Sequence, residues 1–238
     1  MLLELKDIRK IFSDRAGGKV NAVDGVSLSI PAGESCAVVG ESGCGKTTLA
    51  RITMGLIRPD AGEMFFEDRP VWGNRTQERY FRRRVRMVFQ DPFASLDPRY
   101  TVKAILEEAL YLEPLMSVPD RLSRMRSGLA SVSLPADILS RYPHEFSGGE
   151  RQRIAVARAL MTDPKLLILD EAVSSLDVLI QKEILDCLAA LQKSRGLTYM
   201  FITHNFRAAR RIAHKIAVMQ AGKIVEYVSR ENLFKHEH

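Results

Sequence analysis

The strongest chemical pattern in this chain is a glycine-rich segment that ends in lysine and threonine. The pattern G-x-x-x-x-G-K-[ST] is matched in full by Gly40-Glu41-Ser42-Gly43-Cys44-Gly45-Lys46-Thr47. A triphosphate is densely negative, and inward-pointing backbone N–H groups solvate it where glycines let the chain curl closely around it. The lysine brings a positive charge to the β and γ phosphates, and the threonine offers a hydroxyl to Mg²⁺. The spacing predicts a nucleoside triphosphate site.

The residues on either side of this segment predict the elements that must position it. A short apolar run, typical of a buried strand, precedes it at Ser35-Cys36-Ala37-Val38-Val39. A helix is predicted to begin at Thr48-Leu49-Ala50-Arg51-Ile52, with its N-terminal dipole facing the phosphates. The alternative is a glycine-rich turn that matches the pattern by chance, and such a turn would need neither a strand before it nor a helix after it. Strand, loop and helix together favour the nucleotide site, with Thr48 as its last member.

Two adjacent carboxylates follow a second apolar run. The run Leu166–Leu169 is typical of a parallel strand that is covered on both faces. Ligands of open α/β sheets bind outside the carboxyl ends of the strands, which is where Asp170 and Glu171 fall. We predict that Asp170 holds Mg²⁺, directly or through water, and that Glu171 is the general base for a water that attacks the γ phosphate. The alternative is that both acids only start a solvated loop.

A serine and two glycines open another predicted helix between these motifs. Ser147 is a good N-cap, and Gly148 and Gly149 leave the first N–H groups of the helix free to face an anion. An apolar stripe at helical spacing follows, formed by Ile154, Ala157 and Leu160–Met161. Because the chain already has a phosphate loop, a second anion site implies a second nucleotide. A plain glycine-rich helix start is the alternative.

The sequence at this helix start resembles the signature of the ATP-binding cassette (ABC) ATPases. The match is Phe146-Ser147-Gly148-Gly149-Glu150-Arg151-Gln152-Arg153, and the resemblance extends over essentially the whole chain. It implies that two cassettes pack head to tail, so that Ser147, Gly148, Gly149 and Glu150 of one close on the ATP of the other. It also implies an α/β fold with a P-loop (RecA-like) nucleotide-binding core, an N-terminal antiparallel β subdomain and an inserted α-helical subdomain.

The resemblance assigns further positions. Phe12 falls where these cassettes stack an aromatic on adenine, although a core position in the first strand is an alternative. Gln90 resembles the glutamine that contacts Mg²⁺ or water, and His204 resembles the switch histidine that touches the γ phosphate. A loop that crosses the dimer interface is matched by Ser174-Ser175-Leu176-Asp177, although a helix cap also explains it. The resemblance thus implies Glu171, His204 and Gln90 in catalysis, and Thr47, Gln90 and Asp170 as Mg²⁺ ligands.

Longer matches narrow the resemblance to the importers of dipeptides, oligopeptides and nickel. They cover residues 20–27, 40–46, 88–99 and 141–149. Most cassettes carry proline where Ala172 stands, and this alanine alone favours the nickel-type branch. The resemblance implies four kinds of partner: a second cassette, the same or homologous, transmembrane permease subunits and an extracytoplasmic substrate-binding protein. It places the chain peripherally at the cytoplasmic face of the cell (inner) membrane.

Two residues depart from the family pattern. Glu150 replaces the commoner glutamine of the signature and adds a charge near the partner's nucleotide. Asn205 follows the histidine where aspartate is usual. Neither change removes a reacting group, so we expect an active ATPase half-site.

Composition bounds the class of protein. The chain has 238 residues, a net charge of +6 and three cysteines without paired metal spacing, which suits a reducing cytoplasm. No apolar run approaches the roughly 20 residues that span a bilayer, and no secretory signal opens the chain. Arg82-Arg83-Arg84 with Arg86 is a basic cluster that suits anionic lipid headgroups, nucleic acid or simply a solvated face. Cys44 is either open to alkylation that blocks ATP or only a tolerated small residue.

These patterns predict one ABC ATPase domain over residues 1–238. Residues 1–34 are assigned to the antiparallel β part, 35–90 and 161–238 to the core, and 91–160 to the helical subdomain. The predicted function is ATP binding and hydrolysis that drives the uptake of peptides or nickel complexes. A soluble cassette that acts on nucleic acid or ribosomes is one alternative, although no nucleic-acid partner is expected. A regulatory module that hydrolyses ATP poorly is another.

Overall fold

The structure is a computed structural model, and it describes residues 1–13, 18–89, 95–111, 116–174 and 176–233. These residues form ten strands: β1 (Leu3–Ser13), β2 (Lys19–Ile30), β3 (Ser35–Val39), β4 (Ala61–Phe66), β5 (Arg69–Pro70), β6 (Val85–Val88), β7 (Leu166–Asp170), β8 (Thr198–Thr203), β9 (Lys215–Gln220) and β10 (Lys223–Ser229). The same ranges contain eight α-helices: α1 (Lys46–Thr53), α2 (Arg75–Arg84), α3 (Val102–Leu110), α4 (Val118–Ser131), α5 (Gly148–Leu160), α6 (Val178–Arg195), α7 (Phe206–Ile212) and α8 (Arg230–Leu233). Two sheets organise the molecule.

The core sheet has the strand order β10-β9-β3-β8-β7-β6. Strands β6, β7, β8, β3 and β9 run parallel, and β10 returns antiparallel to β9. Every residue of β3 and β7 is buried, which explains why both read as uninterrupted apolar runs. Because the strands are parallel, the chain leaves β3, β7 and β8 at the same edge of the sheet.

The antiparallel sheet has the order β2-β1-β4-β5, and it differs from the prediction. Residues 61–70, which were assigned to the core, supply two of its four strands. Strand β4 pairs with β1 because Gly62 brings its backbone against that strand: a Cβ at Gly62 would lie 2.4 Å from the carbonyl oxygen of Asp7. No side-chain pattern signals such a backbone contact, so the predicted boundary at residue 34 cut through the sheet.

The helical insert contains α3, α4 and α5, with short 3₁₀ turns at Ala136–Ser140 and Pro143–Glu145. The described part of residues 91–160 is therefore mainly helical, as predicted. Pro119 lies in the first turn of α4, where a missing N–H costs nothing, and Pro135 precedes the first 3₁₀ turn.

Alternate residues of the core strands face two separate hydrophobic clusters. Ala37, Leu167 and Phe201 join the cluster that includes the helical insert. Val38 and Ile168 join the cluster that includes the antiparallel sheet and α1. The parallel strands thus lie between two layers, which fixes the position of the loops at their carboxyl ends.

Candidate nucleotide site

The glycine-rich loop is fixed from behind by backbone contacts. A Cβ at Gly40 would lie 2.2 Å from the carbonyl oxygen of Met219, and one at Gly45 would lie 2.0 Å from that of Ala22. The N–H of Gly222 donates to the Cys44 carbonyl at 2.9 Å. Only glycine allows these approaches, so two strands and the β9–β10 turn hold the loop in place.

The open side of the loop faces away from these contacts. Gly43 has φ +82°, and nothing lies within 4 Å of where its Cβ would stand. Gly45, at φ 109°, is the N-cap of α1 and supplies no side-chain cap, and the first turn of this helix has no acidic residue. The first N–H groups of α1 are therefore available to an anion, and the helix dipole favours one there.

Lys46 lies folded over the loop that precedes it. Its Nζ donates to the carbonyl oxygens of Gly40 at 2.8 Å and Glu41 at 2.7 Å. The residue is only 5% exposed, which holds the ammonium at the loop. Thr47 is exposed in the first turn of α1, and Thr48 beside it is half-buried. The predicted phosphate and Mg²⁺ groups are thus together at one helix start.

Asp170 is the last residue of β7, and its carboxylate is buried. The residue is 8% exposed, and its Oδ1 is buried without a hydrogen-bond partner among the residues that the structure describes. Burial and the neighbouring Glu171 raise the pKa of this carboxyl, whereas Arg51 and Lys46 lower it. A buried carboxylate oxygen without a partner is costly, and a bound cation relieves that cost.

Glu171 stands in a left-handed backbone conformation with φ 48°. Its N–H donates to the carbonyl of Ile202 at 2.9 Å, which fixes the residue against β8. Non-glycine residues in this region cost about 1–3 kcal/mol and persist at positions that the surrounding structure constrains. The conformation directs the side chain toward the loop that follows β8.

His204 follows β8 and contacts this carboxylate. Its Nδ1 lies 3.1 Å from Oε2 of Glu171. The side chain of His204 is 58% exposed and that of Glu171 is 20% exposed, so both reach solvent at the edge of the sheet. The structure therefore brings together the predicted general base and the predicted switch histidine, which are 33 residues apart in the sequence.

The second predicted anion site is a capped helix start. The Ser147 hydroxyl donates to Oε2 of Glu150 at 2.7 Å, the Ser147 N–H donates to the same oxygen at 2.9 Å, and the Glu150 N–H reaches the serine oxygen at 3.4 Å. These bonds form a capping box and lower the pKa of Glu150. We did not predict this role of Glu150, although the spacing S-x-x-E signals it. Ser147 remains exposed.

The glycines of this helix start pack against α6 and the loop before it. A Cβ at Gly149 would lie 2.5 Å from Cγ2 of Ile180, and one at Gly148 would lie 3.3 Å from Cδ2 of Leu176. Asp177 caps α6, because its Oδ1 accepts from the N–H groups of residues 179 and 180 at 3.1 Å. The helix-cap interpretation thus accounts for Asp177, while the dimer-interface role of the loop stays a prediction.

Other predicted positions are distributed around this centre. Phe12 is 41% exposed on β1, so it is not the core residue that the alternative required; its adenine contact stays a prediction. Ser174 has a buried hydroxyl without a partner in the described ranges. Asn205 caps α7 through its side-chain oxygen, so replacing aspartate there preserves the cap. Gln90 and Ser175 lie outside the described residues.

The contacts of Ala22, Met219 and Gly222 with the loop were missed by sequence reasoning. Ala221 and Gly222 form the turn between β9 and β10 with positive φ angles of 46° and 81°, and nothing in the sequence placed this turn against the loop. The described ranges contain no helix with the length and apolarity that a bilayer crossing requires.

The model of the ABC transporter family matches residues 23–174. The chain belongs to the ABC transporter family. The oligopeptide transport ATP-binding protein AppF of Bacillus subtilis (strain 168) is 42% identical to this ABC cassette, over 98% of the cassette and 73% of AppF. OppF of the same organism, also an oligopeptide transport ATP-binding protein, is 42% identical, over 99% and 78%.

Solved structures of other cassettes share the fold. The ABC transporter component cbiO1 from Clostridium perfringens superposes with a TM-score of 0.87 at 25% identity, over 99% of this cassette and 91% of cbiO1. The dimeric cassette MJ0796, in a post-hydrolysis state bound to ADP and Pi, superposes with a TM-score of 0.83 at 26% identity. The match covers 96% of this cassette and 98% of MJ0796. The predicted family, fold class and role as the ATPase subunit of an ABC importer are confirmed. The nucleic-acid or ribosome alternative finds no support among these proteins.

Proposed function

We propose that this ABC cassette uses ATP and Mg²⁺ at the cytoplasmic face of the cell (inner) membrane to drive the uptake of peptides. The names of AppF and OppF, which refer to oligopeptide transport, support a peptide cargo. Ala172, the residue that favoured the nickel-type branch, is 2% exposed and therefore has no cargo-facing surface of its own.

The contact between Glu171 and His204 carries this proposal. A carboxylate 3.1 Å from an imidazole, both reaching solvent, is suited to orient a water molecule and accept its proton. Lys46 opens α1, the helix after β3, and lies close enough to Asp170 at the end of β7 to lower the pKa of that carboxyl. The phosphate-binding lysine, the predicted Mg²⁺ ligand and the predicted base therefore belong to one region of the fold.

The chemistry follows from these side chains. Lys46 exchanges its contacts with the Gly40 and Glu41 carbonyls for the β and γ phosphate oxygens, while the first N–H groups of α1 bind the remaining phosphate charge. Glu171 orients the attacking water and accepts its proton. His204 holds the Glu171 side chain and touches the γ phosphate, with Gln90 in the predicted sensing role.

The residues at the loop fit Mg²⁺. Thr47 offers an exposed hydroxyl, and Asp170 offers the buried oxygen that lacks a partner in the described ranges. Mg²⁺ in phosphoryl-transfer sites is held by one or two protein groups together with phosphate oxygens, and no cluster of three His, Cys, Asp or Glu occurs in the described part of the chain. When bound, the ion neutralises charge that develops on the phosphates.

Assembly supplies the second half of the site. Ser147 is exposed at the start of α5, so the tip of that helix is free to approach a second cassette. The helical insert is the surface we assign to the permease subunits, which connect the cassette to an extracytoplasmic substrate-binding protein. Purification of the assembled complex, followed by identification of its subunits, tests these partners and shows whether the second cassette is a copy of this one.

Glu171→Gln tests the assignment of the base. The change keeps the size and one acceptor oxygen but removes the proton acceptor, so steady-state ATP hydrolysis should fall by about 10²–10⁴-fold. ATP affinity, measured by nucleotide titration, should stay close to that of the unchanged protein. Glu63→Gln on the exposed side of β4 makes the same chemical change away from the site and should leave both quantities unaltered.

Three outcomes separate the alternatives. Full turnover in Glu171→Gln contradicts the assignment of the base. Negligible turnover in the unchanged protein together with tight ATP binding favours a regulatory module. Turnover that rises only when nucleic acid is added favours the nucleic-acid alternative.

A further inference from the structure

The outward face of α2 carries a row of arginines. Arg75, Arg79, Arg82 and Arg83 follow the spacing i, i+4, i+7 and i+8, which places them on one side of the helix. The first three are exposed and the fourth is half-buried. No ion pair joins any of the four side chains to another residue in the described ranges.

The inward face of α2 fixes this orientation. Phe81 is 1% exposed and packs edge-on against Phe66, with ring centres 5.3 Å apart. The Tyr80 hydroxyl donates to Oε2 of Glu67 at 2.7 Å. Asn74 caps the helix through the N–H groups of Thr76 and Gln77. The helix cannot rotate its arginines inward without losing these contacts.

Acidic residues do not balance the charge locally. The only carboxylate on α2 is Glu78, and it is already engaged by the Arg58 guanidinium and the Gly73 N–H, each at 3.3 Å. The arginine face, which we define as Arg75, Arg79, Arg82 and Arg83, therefore presents a net positive surface to its surroundings. Such a surface attracts a polyanion.

A cavity opens beside the arginine face. Its volume is about 450 Å³, and it is lined by Glu67, Arg69, Thr76, Gln77 and Tyr80. Nε2 of Gln77 is buried without a partner among the described residues, and Arg69 is exposed. The Glu67 carboxylate is engaged by Lys165 and Tyr80. Guanidinium, hydroxyl and amide donors around one opening suit a phosphate-bearing headgroup.

The place of α2 in the fold favours a membrane as the polyanion. The helix leads directly into β6, the outermost strand of the core sheet, from which the chain proceeds to the helical insert. The arginine face thus belongs to the helix before the edge strand that leads to the insert. Since the insert is the surface assigned to the permease, this step rests on the proposed function.

Single-stranded nucleic acid is less suited to this face. Single strands bind on exposed aromatic side chains that stack with bases. Trp72 and Tyr80, the aromatic residues next to the arginine face, are half-buried, and the Arg58 guanidinium covers the Trp72 ring at 5.3 Å. The face offers charge without a stacking surface.

We propose that the arginine face of α2 binds the anionic headgroups of membrane lipids. Each arginine near an anionic leaflet raises membrane affinity by about fivefold, so four act together as a substantial anchor. The interaction holds the peripheral cassette against the bilayer beside its permease.

Vesicle co-sedimentation of the purified cassette tests this proposal. The unchanged protein should bind vesicles that contain phosphatidylglycerol and not vesicles of phosphatidylcholine alone, and high salt should release it. The combined substitutions Arg75→Gln, Arg79→Gln, Arg82→Gln and Arg83→Gln should lower this partitioning at least about tenfold. A matched control removes four exposed charges elsewhere, by Arg126→Gln, Lys182→Gln, Lys193→Gln and Arg230→Gln, and should bind within about twofold of the unchanged protein.

ATP hydrolysis in solution separates this proposal from the proposed function. Both four-residue variants should retain the ATPase rate, which also shows that they fold. The proposal is overturned by equal binding to both kinds of vesicle, by equal loss in the control variant, or by vesicle binding that high salt does not release. Binding of duplex or single-stranded DNA in place of vesicles would assign the face to nucleic acid instead.

Discussion

The loop at residues 40–47 and the helix start at residues 147–150 are both predicted anion sites, yet their glycines lie against different kinds of atom. At the loop, a Cβ on Gly45 would meet the backbone oxygen of Ala22 at 2.0 Å. At the helix start, a Cβ on Gly149 would meet the side chain of Ile180 at 2.5 Å. A side chain has alternative rotamers, whereas the backbone of a paired strand such as β2 does not move without disturbing its sheet.

This difference is consistent with the proposal that one nucleotide site is divided between two chains. The loop is held by its own strands, with Lys46 already folded over it, and is complete within a single molecule. The helix start carries an exposed serine and rests on the α6 side chain of Ile180. Ser147 is on the surface, and the Ile180 side chain beneath Gly149 can change rotamer. Both properties suit a surface that is proposed to close on a neighbouring cassette.

The largest effect should come from Gly45→Ala. Alanine at φ 109° is strained by about 1–2 kcal/mol, and the overlap with the Ala22 carbonyl adds about 1–3 kcal/mol that no rotamer relieves. If the loop moves to avoid the overlap, ATP affinity should fall by at least about 30-fold in a calorimetric titration.

Gly33→Ala is the control for backbone strain alone. Gly33 has φ +78° and nothing within 4 Å of its Cβ position, and it lies in the turn before β3. This variant should lose stability but bind ATP normally. If Gly45→Ala also binds ATP normally, the backbone contacts do not shape the loop.

An intermediate effect is expected at the helix start. Gly149→Ala should lower the free energy of unfolding by about 1–3 kcal/mol, because the added methyl overlaps Cγ2 of Ile180. Ile180→Ala removes the overlapped atom, so the double variant should be more stable than the sum of the two single changes predicts. Gly148→Ala, with 3.3 Å to Leu176, should cost less.

Chemical denaturation of the unchanged protein, Gly149→Ala, Ile180→Ala and the double variant measures this coupling as a double-mutant cycle. A coupling energy near zero would mean that the Ile180 side chain does not limit which residue fits at position 149. No such cycle exists for the nearest contact of Gly45, because the atom there is the main-chain oxygen of Ala22.

Sequence reasoning succeeded where structure is specified locally. The run at residues 35–39 is β3 without a shift, and the run at 166–169 is β7 up to its carboxylate. The helix predicted to follow Ser147 spans Gly148–Leu160. In each case a buried strand, or a cap and an apolar stripe, leaves its own mark on neighbouring residues.

Sequence reasoning failed where distant backbone segments meet. The contact of Gly45 with Ala22 joins α1 to β2, and Gly62 brings β4 to β1, but neither leaves a periodic side-chain pattern. The left-handed conformation of Glu171 is imposed by its neighbours, since glutamate has no preference for it. The outward direction of the arginine face likewise depends on the anchors beneath α2.

The smallest effect concerns Glu150, whose carboxylate caps the helix start that is proposed to meet a triphosphate. Glu150→Gln keeps an acceptor for Ser147 but removes a negative charge, so ATP-driven dimerisation should tighten by about two- to fivefold and less at high salt. Analytical ultracentrifugation at two salt concentrations measures this change. Glu226→Gln, on the exposed part of β10, should leave dimerisation unaltered.

Acid unfolding gives a second measure of the same side chain. Hydrogen bonds from Ser147 hold the pKa of Glu150 below its ordinary 4.5, because they favour the charged form in the folded protein. Its contribution to stability is therefore fully present above pH 4.5 and is lost as the pH falls through the lowered folded pKa. Glu150→Gln cannot titrate, so its stability should decline less over that acid range. An equal decline of stability with pH in the two proteins would mean that the capping box does not persist in solution. Ser147 would then not be held in the position described for the helix start.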